Sequence, residues 1–229
     1  MGKEIEAYAT ERGHSITARI DSANPKEKFD YTNTDVVIEF SRPEFAKNNI
    51  QFAIDKQLPI IIGTTGWYAD LEEITKYCQL KNGSMLYATN FSVGVNAFFA
   101  VNTYLAKIMA NLDAYTANVV EIHHTEKLDS PSGTGISIAE QIISENKKYN
   151  GWVNEKIANT TDKEKLTIES IRLPKVPGTH EVKYTSVIDT IEIKHTAHTR
   201  KGFAQGSVLA AEWIMGKSGV FTMQDVLKF

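Results

Sequence analysis

Cysteine is almost absent: Cys78 stands alone in 229 residues. One thiol can neither close an intramolecular disulfide nor build a cysteine-based metal site. That fits a reducing compartment and points to the cytoplasm. Cys78 follows Ile74-Thr75-Lys76-Tyr77 on what reads as a helix face, so it is expected to be packed rather than reactive. Long apolar runs are missing too. No stretch approaches ~18 apolar residues, so no membrane span is expected. The charged start (Lys3, Glu4, Glu6) is not that of a secretory signal, and Glu6 sits where a myristoylation motif needs Ser or Thr. Basic charge is not in excess: 25 Lys and Arg stand against 28 Asp and Glu, a net charge of −3. No nucleic-acid or anionic-membrane partner follows from that balance, and any anion site must be local. There is no internal repeat and no low-complexity tract. What remains is 42% hydrophobic and 23% charged, which describes a globular protein of one large domain or two small ones.

Residues 3–12 read as a helix stopped by Gly13, and 15–20 alternate like a strand ending on Asp21. Buried-type strands at 35–40, 58–62 and 84–88 alternate with helices at about 43–56, opened by Pro43, and 68–80. Apolar strands alternating with helices predict a doubly wound parallel sheet covered on both faces. After Asn90 the rhythm changes. A long helix (about 95–110), a strand (117–124) and a helix (about 135–146) precede a polar loop excursion at 147–165. Three alternating segments follow at 167–173, 181–188 and 191–199, and then a buried helix from Gln205 to about Met215. The fold class is therefore α/β: a Rossmann-type sheet with an inserted α+β domain of mainly antiparallel sheet. The expected divisions are 1–91 with 205–229 for dinucleotide binding, and 92–204 for substrate binding and oligomerisation.

Four segments invite a chemical reading. Gly2 and Asp21 are spaced like the last glycine of a dinucleotide fingerprint and its ribose-binding acid, although Asp21 also reads as a simple strand cap. Gly63-Thr64-Thr65-Gly66 follows a buried strand, where a ligand is expected at the carboxyl end and glycine lets backbone approach it. Ala88-Thr89-Asn90-Phe91-Ser92 also follows a strand end and serves equally as a hinge or as a plain linker. The run Glu121 to Thr134 is the most specific. His123 and His124 are strand neighbours whose side chains diverge, Lys127 supplies a point charge, and Ser132-Gly133-Thr134 opens a helix whose amides bind anions. Such a site suits a carboxylate and a proton-donating histidine. No metal is expected, since diverging histidines beside a lysine make a poor dication site. His195 and His198 lie on an alternating strand that reads as a solvated or interface face.

The core His-His-x-x-Lys-x-Asp-x-Pro-Ser-Gly-Thr of that run resembles the signature of the 4-hydroxy-tetrahydrodipicolinate reductase (dihydrodipicolinate reductase) family. Gly63 to Gly66, Asn90 to Asn96, Val176 to His180, Gly202 to Ala204 and Phe221 to Leu227 match in the same order, so the resemblance spans the chain. It implies reduction of 4-hydroxy-tetrahydrodipicolinate on the diaminopimelate route to lysine. His123 would be the proton donor and Lys127 its partner; His124, Ser132, Gly133 and Thr134 would hold the carboxylates. Gly2, Asp21, Arg42, Gly63, Thr64, Thr65, Ala88, Thr89, Asn90 and Phe91 would meet NADH or NADPH. A homotetramer built through the second domain's sheet is also implied, and the inserted-domain reading leads to an expected closure of the two domains about 89–95 and 200–206. Asp21 is followed by Ser22 rather than arginine, with Lys26 and Lys28 further on, so NADH is the expected preference with NADPH tolerated.

The family pattern opens with a strand and Gly-x-Gly-x-x-Gly, whereas this chain begins at the last of those glycines. A start assigned too late, at an internal Met, is the expected reason. A polypeptide that truly begins at Met1 is expected to have a disturbed first domain and weak cofactor binding. Two other readings stand beside the reductase: a different dehydrogenase on the same architecture, and a catalytically impaired homologue acting as an anion-binding or assembly module.

Overall fold

Three consecutive isoleucines, Ile60-Ile61-Ile62, are fully buried in the computed structural model. A strand buried on both faces requires a sheet covered by helices on both sides. Residues 1–154 and 162–228 are described. That isoleucine strand, β2 (Ile60–Ile62), pairs in parallel with β1 (Val37–Glu39) and β3 (Ser84–Tyr87), and β3 pairs in parallel with β9 (Gly219–Phe221). Ile60, Ile62 and Met85 pack on Ala46, Ile50 and Ile54 of α2 (Pro43–Asp55) and on Ile74 and Cys78 of α3 (Leu71–Leu80). Ile61 and Leu86 point the other way, onto Ala210, Ala211 and Ile214 of α6 (Lys201–Ile214). Ile5 and Ala9 of α1 (Gly2–Glu11) pack on Ala204 and Val208 of α6. Cys78 is buried, and burial pushes its thiol up, away from the reactive thiolate. These elements belong to one compact unit, Met1–Val93 with Lys201–Phe229.

The second unit is Gly94–Arg200. Its sheet has the order β5-β6-β4-β7-β8, from β4 (Thr116–His123), β5 (Gly151–Asn154), β6 (Lys165–Arg172), β7 (Gly178–Thr185) and β8 (Thr190–Ala197). Ala117, Val119, Leu166, Ile168, Val182 and Tyr184 share one face. They bury it against Phe98, Ala106 and Met109 of α4 (Val93–Met109) and Ile138, Ala139 and Ile142 of α5 (Gly133–Glu145). The predicted antiparallel pairing holds for β4–β7 and β7–β8, while β4–β6 and β5–β6 are parallel, so the sheet is mixed. Part of the reason is α5, a helical crossover between β4 and β5 that returns the chain in the same direction. The opposite face carries a charged lattice in which Glu181 meets Lys194 at 2.6 Å and Lys183 at 3.1 Å.

Four local expectations differ from the structure. Residues 15–20 form no ladder with any described strand, and Ile20 is exposed. The loop excursion at 147–165 contains β5, whose four residues were too few for a visible period; its residues 155–161 lie outside the described residues. The last predicted helix begins four residues earlier, at Lys201. It is followed by β9 and by α7 (Met223–Leu227), which opens on a capping box between Thr222 and Asp225. Among the described residues, no helix is long and apolar enough to cross a membrane.

Candidate active site

Strand periodicity puts Glu121 and His123 on the same face of β4, the face that buries the core. Towards His123 that face turns polar. The register sets Ser170, Glu121, His180 and His195 abreast on β6, β4, β7 and β8. Glu121 is fully buried, and its carboxylate is satisfied from three directions. Oε2 pairs with Nδ1 of His123. Oε1 accepts from an Arg172 guanidinium nitrogen at 2.9 Å and from the Ser132 amide at 3.3 Å. Burial would raise this carboxyl, but His123, Ser170 and Arg172 together outweigh it and hold it at about 2. Arg172 also donates to the Asp129 carbonyl at 2.7 Å, which ties the 124–131 loop to β6.

The His180 ring stands edge-on to His123 with centroids 5.1 Å apart. It is buried, and neither ring nitrogen has a hydrogen-bond partner among the described residues. Burial, reinforced by the neighbouring His123, drives its pKa down to about 3, so it stays neutral across the physiological range. On the other side of His123, Gly178 lies so close that a Cβ there would come within 3.1 Å of Nε2.

His124 leaves the strand and takes a different role, as the predicted divergence requires. Arg200 donates to its Nε2 at 2.9 Å, so Nε2 is the acceptor and Nδ1 carries the proton given to Glu126 at 3.0 Å. Lys127 sits in the turn after it, with its ammonium 2.8 Å from Asp129 and near enough to His180 to oppose protonation there. Ser132 is the N-cap of α5, its Oγ accepting from the Gly135 amide at 3.1 Å and its carbonyl from the Ile136 amide at 2.9 Å. Gly133 is exposed with open space above its Cα, and Thr134 is half-buried. The structure thus gathers His123, His124, Lys127, Ser132, Gly133 and Thr134 around one strand end and one helix start. Sequence reading gives no role to Glu121, Arg172 or His180. The Glu-x-His spacing on a strand was the available signal for the first. His195 is half-buried on the core face, edge-on to Phe98 at 6.4 Å, rather than on a solvated one.

In the first unit, the turns after β1 and β2 are stitched together: the Ser41 amide donates to Thr64 Oγ1 at 2.7 Å. A Cβ at Gly63 would come within 2.6 Å of Phe40 Cε2 and nearer still to other atoms of that ring, so any larger residue there must displace the Phe40 side chain. Thr65 is exposed, and so is the Arg42 side chain at the start of α2. Asn90 and Phe91 follow β3. Asn90 Oδ1 accepts from the Ser92 amide at 2.9 Å, and the Phe91 ring packs on Phe40 at 5.7 Å between centroids, with Ala88 buried and Thr89 exposed before them. Gly2 is the exposed first residue of α1. Asp21 holds a tight turn, accepting on Oδ1 alone from the Ala23 amide at 2.9 Å and the Asn24 amide at 2.8 Å. Its Oδ2 receives no described bond. An exposed cation and an exposed hydroxyl after the ends of β1 and β2, together with the carboxylate of Asp21 in its own turn, are groups that suit a phosphate- and ribose-bearing cofactor.

A parallel sheet clad on both faces, with ligand-competent turns at its strand ends, and a second unit carrying a buried carboxylate–histidine pair beside a lysine define a two-unit nicotinamide-dependent oxidoreductase. The chain belongs to the dihydrodipicolinate reductase family: the family's N-terminal model matches residues 1–91 and its C-terminal model matches residues 94–227. A 4-hydroxy-tetrahydrodipicolinate reductase from Christiangramia forsetii is 43% identical over 227 residues, covering 99% of this chain and 93% of the relative. One from Clostridium novyi is 33% identical over 245 residues, covering 100% and 94%. In fold, the chain is similar to a dipicolinate-bound dihydrodipicolinate reductase from Paenisporosarcina, with a TM-score of 0.63 at 20% identity over 82% of this chain and 71% of that one.

Proposed function

We propose that the chain catalyses the NAD(P)H-dependent reduction of 4-hydroxy-tetrahydrodipicolinate to tetrahydrodipicolinate in lysine biosynthesis. Family membership supports the activity. The observation that carries the mechanism is His123, buried, with Nδ1 paired to Glu121 and Lys127 in the adjoining turn. When bound, a nicotinamide cofactor would supply hydride chemistry at a ring carbon, held by the turns of the first unit. His123 gives the neighbouring carbon a proton, and Lys127 adds a positive charge that favours its release towards an anionic substrate. His124, with Arg200 behind it, and the start of α5 at Gly133 and Thr134 hold the two carboxylates and so fix the ring, while Ser132, expected among them, serves by capping that helix. Gly2, Asp21, Arg42, Gly63, Thr64, Thr65 and residues Ala88 to Phe91 are the cofactor-binding set, and residues 92–204 the substrate and oligomer domain. NADH is favoured over NADPH because no arginine follows Asp21. A comparison of the two KM values tests this, and a strong NADPH preference overturns it. Assembly as a cytoplasmic homotetramer through the second unit's sheet completes the proposal, and light scattering checks it.

The test of activity is NADH oxidation with substrate formed in situ from pyruvate and aspartate semialdehyde by a synthase. His123→Ala and Lys127→Ala are expected to lower kcat by about 10²-fold or more while the fold persists. Full activity in either variant removes that residue from the mechanism. No activity in the unaltered chain removes the reductase reading.

A further inference from the structure

The Glu121–His123 pair bears on which ring nitrogen does the chemistry. A carboxylate can only accept, so the nitrogen it pairs with must carry hydrogen: His123 is protonated on Nδ1 whether the ring is neutral or charged. Glu121 cannot swing away from that duty. It is fully buried, and its other oxygen is held by Arg172 at 2.9 Å and the Ser132 amide at 3.3 Å. Nε2 is left as the nitrogen that exchanges its proton. Gly178 lies close on that side, where even a methyl would reach within 3.1 Å of Nε2.

We propose that Glu121 is a positioning residue: it locks His123 in the Nδ1–H form, stabilises the imidazolium, and reserves Nε2 for delivering the proton. The step balances simply. The Nε2–H bond breaks, a carbon–hydrogen bond forms at the substrate carbon next to the one receiving hydride, and the ring is left neutral with its Nδ1 hydrogen still on Glu121. Solvent then returns a proton to Nε2. The groups facing His123 from each packed element are consistent with this assignment. Arg172 on β6 fixes the carboxylate's charge and position. His180 on β7 stays neutral and adds no competing cation. Lys127, in the turn after β4, is itself paired with Asp129. The proposal rests on the reading of His123 as proton donor, and part of its test is independent of activity.

That part is nitrogen-15 NMR of the histidine side chains, with His123 identified by the signals lost in His123→Gln. In the unaltered protein the neutral form of His123 is expected to be the Nδ1–H tautomer. In Glu121→Gln, whose amide can donate as well as accept, the tautomer is expected to shift toward Nε2–H. An Nε2–H tautomer in the unaltered protein overturns the proposal, as does an unchanged tautomer in Glu121→Gln. If Glu121→Gln does not fold, the unaltered protein alone still decides. The kinetic part separates positioning from a purely structural role. Glu121→Gln is expected to lower kcat by about 10²-fold with substrate KM changed by less than about threefold. The pH above which activity falls should move in Glu121→Gln, because the ring has lost its carboxylate partner. Glu121→Asp should return that pH toward its original position. A lower melting temperature with an unmoved pH profile would assign Glu121 to structure alone. A chain with no reductase activity but the expected tautomers would sink the functional proposal and leave the positioning role intact.

Discussion

Gly206→Ala sets two well-measured effects against each other. Gly206 lies inside α6, where glycine costs about 1 kcal/mol relative to alanine, so helix propensity alone predicts that the substitution stabilises. Its Cα, however, lies directly beneath the Phe91 carbonyl. An added Cβ would come within 2.8 Å of the Phe91 carbonyl carbon and closer still to its oxygen. The obstacle is backbone, in a turn pinned by the Asn90–Ser92 hydrogen bond and by the buried Phe91 ring, so no flexible side chain can give way. Overpacking a well-ordered core costs about 1–3 kcal/mol, and a backbone obstacle belongs at or above the top of that range. The net expectation is destabilisation by at least about 2 kcal/mol. Urea unfolding followed by tryptophan fluorescence reads it, because Trp67 and Trp213 both lie in this unit. With a slope of about 2 kcal/mol per molar urea, the midpoint should fall by about 1 M. Gly133→Ala is the control: nothing lies within 4 Å of its added methyl, so the midpoint should hold or rise slightly. A raised midpoint in Gly206→Ala would refute the close packing of α6 on the 90–91 turn.

Two further outcomes follow from the second unit. His180 titrates at about 3 in the fold against 6.5 when exposed, and Glu121 at about 2 against 4.5, so the unfolded chain binds more protons in both windows. Stability should therefore decline as pH falls below about 6.5 and more steeply below 4.5, with His180 contributing at most about 5 kcal/mol by pH 3. Calorimetry from pH 8 to 4 checks the sign, and His180→Phe should flatten the slope between 6.5 and 4.5. Ser132→Ala should cost about 1 kcal/mol through loss of the α5 cap, measured by urea unfolding. Because its hydroxyl already serves the helix, substrate KM should change little; a large rise in KM would place that hydroxyl on substrate.

The layered fold was legible because its signals are local. Ile60-Ile61-Ile62 can only be a doubly covered strand, and Pro43 marks the start of α2 without any knowledge of its neighbours. The His123–Thr134 cluster was legible for the same reason, as one contiguous run. What stayed hidden depends on partners far along the chain. Residues 15–20 have the alternation of a strand, yet a strand also needs a neighbour to pair with. β5 is too short to show a period and exists through its register with β6. Arg172 and His180 reach Glu121 and His123 through β6 and β7, and pairing register is not written in either segment alone.

The site's polar groups are largely committed before any ligand arrives. Ser132 spends its hydroxyl and carbonyl on α5 and its amide on Glu121; Glu121 spends both oxygens; Arg172 spends itself on Glu121 and the Asp129 carbonyl. A buried carboxylate is costly unless paired, and removing one partner of such a pair costs more than the pair contributes. The network is thus stable only when intact, and intact it permits a single orientation of the His123 ring. Rigidity and function therefore draw on the same contacts. Glu121 and Arg172 should be hard to replace even in a variant selected for folding alone, whereas the described hydrogen bond of the His123 ring is at Nδ1 and not at Nε2. A histidine whose Nδ1 belongs to the scaffold and whose Nε2 belongs to the reaction can exchange a proton at every turnover without disturbing the core on which it is mounted.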